Sequence, residues 1–215
     1  RLVRRLNFYF KYKVLKTVSD SEKSLLDFGS GNAYFVSQLN KRGLPAVAYD
    51  PFYDSVLNKK INDDKVLKDE KSLISAKFNT VTMWHSLEHV FSYKDTLSLV
   101  SKTLMSKGNL IVACPNYKSF DANYYKKFWA GFDVPRHYWH FSPNGLIEIM
   151  SQNGFNHIKK KPMYFDAIYV SMLSEQYKQS KLWFIKGLAV GVWSNLVSLF
   201  KNNASSYVYL FKKRV

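Results

Sequence analysis

The run Ser24-Leu25-Leu26-Asp27-Phe28-Gly29-Ser30-Gly31-Asn32 constrains this chain more than any other feature. A short apolar strand there ends in Asp-x-Gly-x-Gly, and two glycines one residue apart let the backbone turn sharply and approach a ligand more closely than a side chain would permit. A helix is expected from about Asn32 onward. About 20 residues further along, Pro45-Ala46-Val47-Ala48-Tyr49-Asp50 reads as a second strand that again ends in a carboxylate. In a doubly wound sheet an acid in that place reaches the ribose hydroxyls of a nucleoside lying over the first loop. The pattern therefore points to a nucleotide-like cofactor.

Both NAD and S-adenosylmethionine satisfy that spacing, and the loop separates them. A dinucleotide site wants a third small residue in Gly-x-Gly-x-x-Gly, where helix and strand pack closely beneath a pyrophosphate. Tyr34 stands there instead. Asp27 adds negative charge where phosphates would lie, but it suits a ligand carrying a sulfonium and an amino group. S-adenosylmethionine is the better fit. The expected cofactor contacts are Asp27, Phe28, Gly29, Ser30, Gly31 and Asn32 from the loop, Asp50 and Pro51 after the second strand, and Trp84 with His85 on the pocket floor.

With 215 residues and 47% hydrophobic content, the chain can bury one good core, so a single domain over 1–215 is expected. The lone Cys114 gives no disulfide framework and agrees with a reducing cytoplasm, with peripheral membrane attachment as a variant. No signal peptide is visible, and a start at Arg1 leaves room for an upstream element. Strands are expected near 24–28, 45–50, 64–68, 78–84 and 109–114, with helices near 32–42, 52–59 and 94–106. Such alternation predicts an α/β fold: a doubly wound, mostly parallel, seven-stranded sheet with helices on both faces. A leading basic helix occupies 1–20, an aromatic lid or acceptor loop 116–141 follows the fifth strand, and a helix is expected over 143–153. After a strand at 155–161, a helical insertion over 162–204, with helices near 166–178 and 181–200, precedes a last, antiparallel strand at 205–212.

Four ordered motifs resemble the class I, Rossmann-like S-adenosylmethionine-dependent methyltransferases. They are the glycine loop, Phe78 to Val90 with Trp84-His85-Ser86-Leu87-Glu88-His89, Leu104 to Asn116 with Lys107-Gly108, and Asp133-Val134-Pro135-Arg136-His137-Tyr138-Trp139-His140-Phe141-Ser142. The last is similar to a segment of a bacterial subgroup acting on small molecules. The likeness is close over roughly residues 20–160 and looser beyond. It implies methyl transfer to oxygen or nitrogen of a ring-bearing, lipid-like or saccharide acceptor. The exocyclic-amine base methyltransferases carry Asp/Asn-Pro-Pro-aromatic after the fourth strand; Trp84-His85-Ser86-Leu87-Glu88-His89 departs from that pattern, which argues against adenine or cytosine as acceptor. Cys114 invites comparison with the cysteine nucleophile of some RNA enzymes, although a structural role is the simpler expectation.

His85, Glu88 and His89 fall at helical i, i+3 and i+4, so three ligand-type side chains would share one face. The same letters form an inverted zinc-protease signature, but that needs a long helix and a further acidic ligand. Some related methyltransferases carry Glu-x-x-Glu-His here, and His85 in place of the first glutamate disfavours a hard ion; no metal ligand set is assigned. The candidate catalytic groups are His85, His89, His137 and His140, either as general base toward the acceptor or as walls of the site.

Charge supplies the competing classes. The net charge is +16 and no acidic residue follows Glu175, so RNA or an anionic membrane surface is a candidate partner beside the small-molecule acceptor. An RNA methyltransferase, or a non-catalytic basic module, is the alternative function. From Lys181 to Lys201 the chain sets Leu182, Ile185, Ala189, Val192, Trp193 and Leu196 on one side of a helix and Gly187, Gly191, Ser194 and Ser198 on the other. Packing of the apolar side into the core or a homodimer face is expected first, membrane-surface association second; Lys186 argues against a span.

Overall fold

The computed structural model describes residues 2–18, 24–53, 65–67 and 69–215. Seven strands form one sheet: β1 (Leu25–Phe28), β2 (Ala46–Tyr49), β3 (Val66–Leu67), β4 (Phe78–Trp84), β5 (Leu104–Pro115), β6 (Phe155–Pro162) and β7 (Ser206–Lys213), in spatial order β3-β2-β1-β4-β5-β7-β6. β1 through β5 pair in parallel, and β7 runs antiparallel between β5 and β6. The order turns back between β1 and β4. At such a switch point the connections leave the sheet in opposite directions and open a crevice at the strand ends. The glycine loop leaves β1 at that crevice.

The central strands read as near-continuous apolar runs because both faces are covered. One face buries Leu26, Val81, Met83, Leu110 and Val112 with Leu97 and Leu146 from helices α4 (Tyr93–Thr103) and α6 (Pro143–Gln152). The other buries Leu25, Ala48, Ile111 and Ala113 beneath α2 (Tyr34–Asn40) and the leading helix α1 (Leu2–Lys16). Although basic, α1 is part of this core: Phe8, Val14 and Leu15 are buried, each stabilising by roughly 1.5–3 kcal/mol. Its polar side is thereby fixed over the mouth of the crevice.

Several boundaries follow local chemistry. Ser142 accepts from the Gly145 N–H at the start of α6, and Gly154 leaves that helix with φ of 85°. Helix α4 stops at Thr103, short of the expected 106, because Leu104 to Lys107 continue as β5 beyond a register shift at Phe78/Thr80. The expected helix over 52–59 lies outside the described residues apart from its first two positions. An unexpected short helix, α3 (Glu70–Ser75), is capped by Asp69, whose Oδ1 accepts from Ser72 N–H at 2.7 Å.

The 116–141 segment is more ordered than its irregular sequence suggests. It holds α5 (Phe120–Tyr125), capped by Ser119, and two single 3₁₀ turns. Its anchor is the fully buried Asp121, whose carboxylate accepts from Trp129 Nε1 at 2.7 Å, Ser194 Oγ at 2.8 Å and Ser205 Oγ at 2.7 Å. One side chain thus ties the loop to α8 (Trp183–Lys201) and to the start of β7. Helix α8 pairs with α7 (Tyr164–Tyr177) in the reverse sense of core packing: Gly187, Gly191, Ser194 and Ser198 are buried, while Ile185, Val192, Trp193 and Leu196 are exposed. A Cβ on Gly187 or Gly191 would overlap the backbone of Met172 or Ile168, so close approach of the two helices selects the small face.

Candidate active site

A crevice of about 520 Å³ opens above β1 and β4, lined by Asp27, Gly29, Ser30, Gly31, Asn32 and Trp84 of the expected set. That volume suits a small organic ligand. Gly29 and Gly31 have φ of 73° and 54°, and a Cβ on Gly29 would overlap the Ser86 side chain. At Gly31 a Cβ would meet open space, so backbone rather than side chain faces the crevice. The loop is held from beneath: Gly29 and Ser30 N–H groups donate to Tyr49 C=O, and Gly31 N–H donates to Asp50 Oδ2 at 2.7 Å. Asp50 also accepts from Phe52 N–H, so both of its carboxylate oxygens are held by backbone beside the loop. Phe28 packs on Tyr49 in the core, and Phe28, Asp50, Pro51 and His85 are not among the crevice-lining residues.

Asp27 carries the electrostatics. It is 3% exposed and accepts from Thr82 Oγ1 at 2.6 Å. Burial pushes its carboxyl up to about 6, against the opposing pull of Lys11 and the Thr82 bond. A cation set beside it would favour the ionised form. Among the described residues, Ser30 Oγ and Trp84 Nε1 are buried without a partner, and both belong to crevice-lining residues. Buried polar atoms are ordinarily paired, so these two are groups for a ligand to satisfy. A buried anion, exposed loop backbone and two unpaired donors fit the amino-acid and nucleoside parts of S-adenosylmethionine.

Sequence reasoning missed the wall opposite. Arg4, Asn7, Phe8 and Lys11 of α1 complete the crevice, with the Arg4 guanidinium 4.1 Å from the Tyr34 ring centroid and Lys11 Nζ 5.0 Å from that of Trp84. Burial holds the Lys11 ammonium below the usual lysine value against the attraction of Asp27 and Asp166. The helical spacing of residues 4, 7 and 11 was the available signal.

Beyond Trp84 the backbone turns at His85, which adopts φ of 51°. Its Nε2 lies 3.1 Å from Asp166 Oδ2 on α7, and its Nδ1 3.3 Å from Glu88 Oε1. Burial disfavours the imidazolium, but the two carboxylates outweigh it and raise His85 to about 10. The side chain keeps 33% exposure, so water screens part of that field. Glu88 is 1% exposed; burial raises its carboxyl, yet His85 brings it below the usual range. Its second oxygen accepts from Cys114 Sγ at 3.4 Å. The Cys114 thiol, buried and beside that carboxylate, is held well above its ordinary value and is an inert nucleophile. Nothing in the sequence announced Asp166, which only the docking of α7 brings to His85.

The remaining histidines gather on the far side of Glu88. Its backbone carbonyl accepts from Tyr138 and Trp139 N–H, pinning the 116–141 loop to this turn. His89 Nδ1 lies 3.1 Å from Arg136 C=O and His137 Nδ1 2.9 Å from Gly131 C=O. A carbonyl can only accept, so each Nδ1 carries a proton, and in the neutral ring the lone pair lies on Nε2. The rings meet edge to face at 4.5 Å, and burial first of all keeps His137 below the usual histidine value. Glu88, His89 and His137 offer one ligand atom each within 4.8 Å of one another, a set that a divalent ion would accept. His140 lies outside this group, with Nε2 3.0 Å from Phe132 C=O.

A seven-stranded sheet with β7 reversed, and a cationic-ligand crevice at the β1/β4 switch, define an S-adenosylmethionine-dependent methyltransferase. The family model described as "Methyltransferase domain" matches residues 2–160, and the chain belongs to that family. No curated protein sequence matches it. Among solved structures, an S-adenosylmethionine-dependent methyltransferase from Archaeoglobus fulgidus is similar with a TM-score of 0.64 and 17% identity over 98% of this chain and 94% of its own. One from Thermotoga maritima, described as a possible histamine N-methyltransferase, gives 0.62 and 16% over 99% and 92%. Phosphoethanolamine N-methyltransferase 2 of Haemonchus contortus, in complex with S-adenosyl-L-methionine, gives 0.60 and 17% over 95% of this chain and 52% of its own. At these identities the likeness is one of fold. S-adenosylmethionine is the cosubstrate of this enzyme.

Proposed function

We propose that this methyltransferase acts on oxygen or nitrogen of a small acceptor, ring-bearing, lipid-like or saccharide, and that a histidine of the His89/His137 pair removes the acceptor's proton. The observation that carries the reading is the His89/His137 ring pair beside Glu88, each ring donating from Nδ1 to a backbone carbonyl and so leaving Nε2 for the acceptor. Bound S-adenosylmethionine supplies a methyl carbon already activated by its sulfonium, transferred by in-line displacement. The protein's part is then chiefly placement. Asp27 and the Gly29 to Gly31 backbone hold the cationic end, and Asp50 faces the ribose. His85, clamped between Asp166 and Glu88, is assigned to positioning, because both ring nitrogens are engaged and it has no lone pair to offer. His137 stays neutral near pH 7, as a base must.

The acceptor is tested by screening hydroxylated and aminated small molecules for release of adenosylhomocysteine. Single His89→Ala and His137→Ala variants with intact cofactor binding then probe the base. Full turnover in both variants would sink the base assignment, and turnover confined to RNA would replace the small-molecule reading.

A further inference from the structure

We infer that the outer face of α8 is a docking surface for an anionic lipid interface, holding the enzyme on a membrane without crossing it. The inference is independent of which acceptor is methylated. Ile185, Leu188, Val192, Leu196 and Leu199 recur at helical spacing along one exposed stripe, with Ile185 at 64% and Leu199 at 62% exposure. Trp193 and Phe200 widen it at 56% and 89%. A stripe of this kind ordinarily faces a core, and large contiguous apolar patches are rare on monomers that stay in water.

Why lipid covers it follows from charge and depth. Lys181, Lys186 and Lys201 lie exposed at and along the helix, and none forms an ion pair among the described residues. No acid follows Glu175, and the chain carries +16 overall. A second copy would set these lysines against their equals, whereas an anionic surface complements them. Among the described helices, α8 alone is long and apolar enough to cross a bilayer by length and composition. Its small face, however, is sealed against α7, with Gly187 and Gly191 at the Met172 and Ile168 backbones and Ser194 bonded to Asp121. Only the outer half is free for lipid, which is the condition of a helix lying in the interface. Since Asp166 at the start of α7 holds His85, the membrane-facing helix pair also carries a residue of the active site.

The test is co-sedimentation of the full chain with vesicles of mixed phosphatidylglycerol and phosphatidylcholine, and of phosphatidylcholine alone, at low salt. Binding to the anionic vesicles is expected. The double substitution Ile185→Gln with Leu196→Gln should weaken it by roughly tenfold or more, because apolar insertion is lost. Lys186→Glu should weaken it by about fivefold or more, an effect that salt erases. Both sites are exposed, and unchanged adenosylhomocysteine binding by calorimetry shows that the variants fold. Brominated lipid should quench fluorescence in the parent chain and much less in Trp193→Phe. Absence of binding at low salt overturns the inference. So does concentration-dependent dimerisation lost in the double variant without vesicle binding, or retention of RNA but not vesicles. Vesicle binding without adenosylhomocysteine binding would instead break the methyltransferase assignment.

Discussion

The two sides of His85 hold polar groups in opposite ways. Toward the cofactor, the crevice is open, lined by loop backbone, and leaves Ser30 Oγ and Trp84 Nε1 without a partner among the described residues. On the proposed acceptor side, His89 is exposed and His137 half-buried, and each Nδ1 is already bound to a carbonyl. One side is prepared to satisfy its groups with a ligand; on the other each ring already donates through Nδ1, leaving the Nε2 proposed above as the base. Binding and reactivity are thereby separable, and substitutions should divide them.

The largest separation is expected from Gly29→Val, which sets a branched side chain at positive φ against Ser86; calorimetry should find no adenosylhomocysteine binding, a loss of about a hundredfold or more. His137→Ala should do the reverse, lowering kcat by roughly a hundredfold while leaving cofactor affinity within about twofold. Equal loss of both would erase the distinction between the sides. Chelation sharpens it further: turnover that survives EDTA keeps the pair as bases, and turnover restored only by a divalent ion makes Glu88, His89 and His137 ligands.

Asp121→Ala should act on neither side selectively, because it strips three buried donors of their acceptor. A stability loss of about 3 kcal/mol is expected in urea unfolding, with residual activity falling in proportion to folded protein. The smallest effect is that of pH. Asp27 has a raised carboxyl, so ionised Asp27 costs the free protein stability as pH rises through about 6, and a bound cation relieves that cost. Cofactor affinity should therefore fall about tenfold per pH unit below about 6, with a proton released on binding at pH 6, and Asp27→Asn should flatten the profile. His85 has the same sign in a higher window: its raised value stabilises the fold most fully below the ordinary histidine range, and that stability is lost as pH climbs toward about 10.

How much was legible depended on whether a contact is local. Ser142 and Gly154 marked the ends of α6, and the glycine loop marked the crevice, because caps and tight turns are made by residues adjacent in the chain. The histidine motif Trp84 to His89 was visible, but its division of labour was not. That His85 is locked through both ring nitrogens while His89 and His137 are held through Nδ1 alone depends on Asp166, Arg136 and Gly131, which the motif itself does not name. Helix α8 shows the same boundary in its packing. Its two faces were plain from spacing, yet within this chain it is the small face that is buried, not the larger apolar one expected in the core.

By itself the sequence determined the alternation of strands and helices, the Asp27 to Gly31 cofactor turn and the carboxylate at Asp50, since each follows from hydrophobic period or backbone freedom within a few residues. Tertiary structure alone decided which helix walls the crevice, which histidine is clamped, and which side of α8 meets solvent. Those outcomes are set by partners that chain order does not name: Lys11 closing over Trp84, Asp166 reaching His85, and the backbone of α7 admitting only glycine.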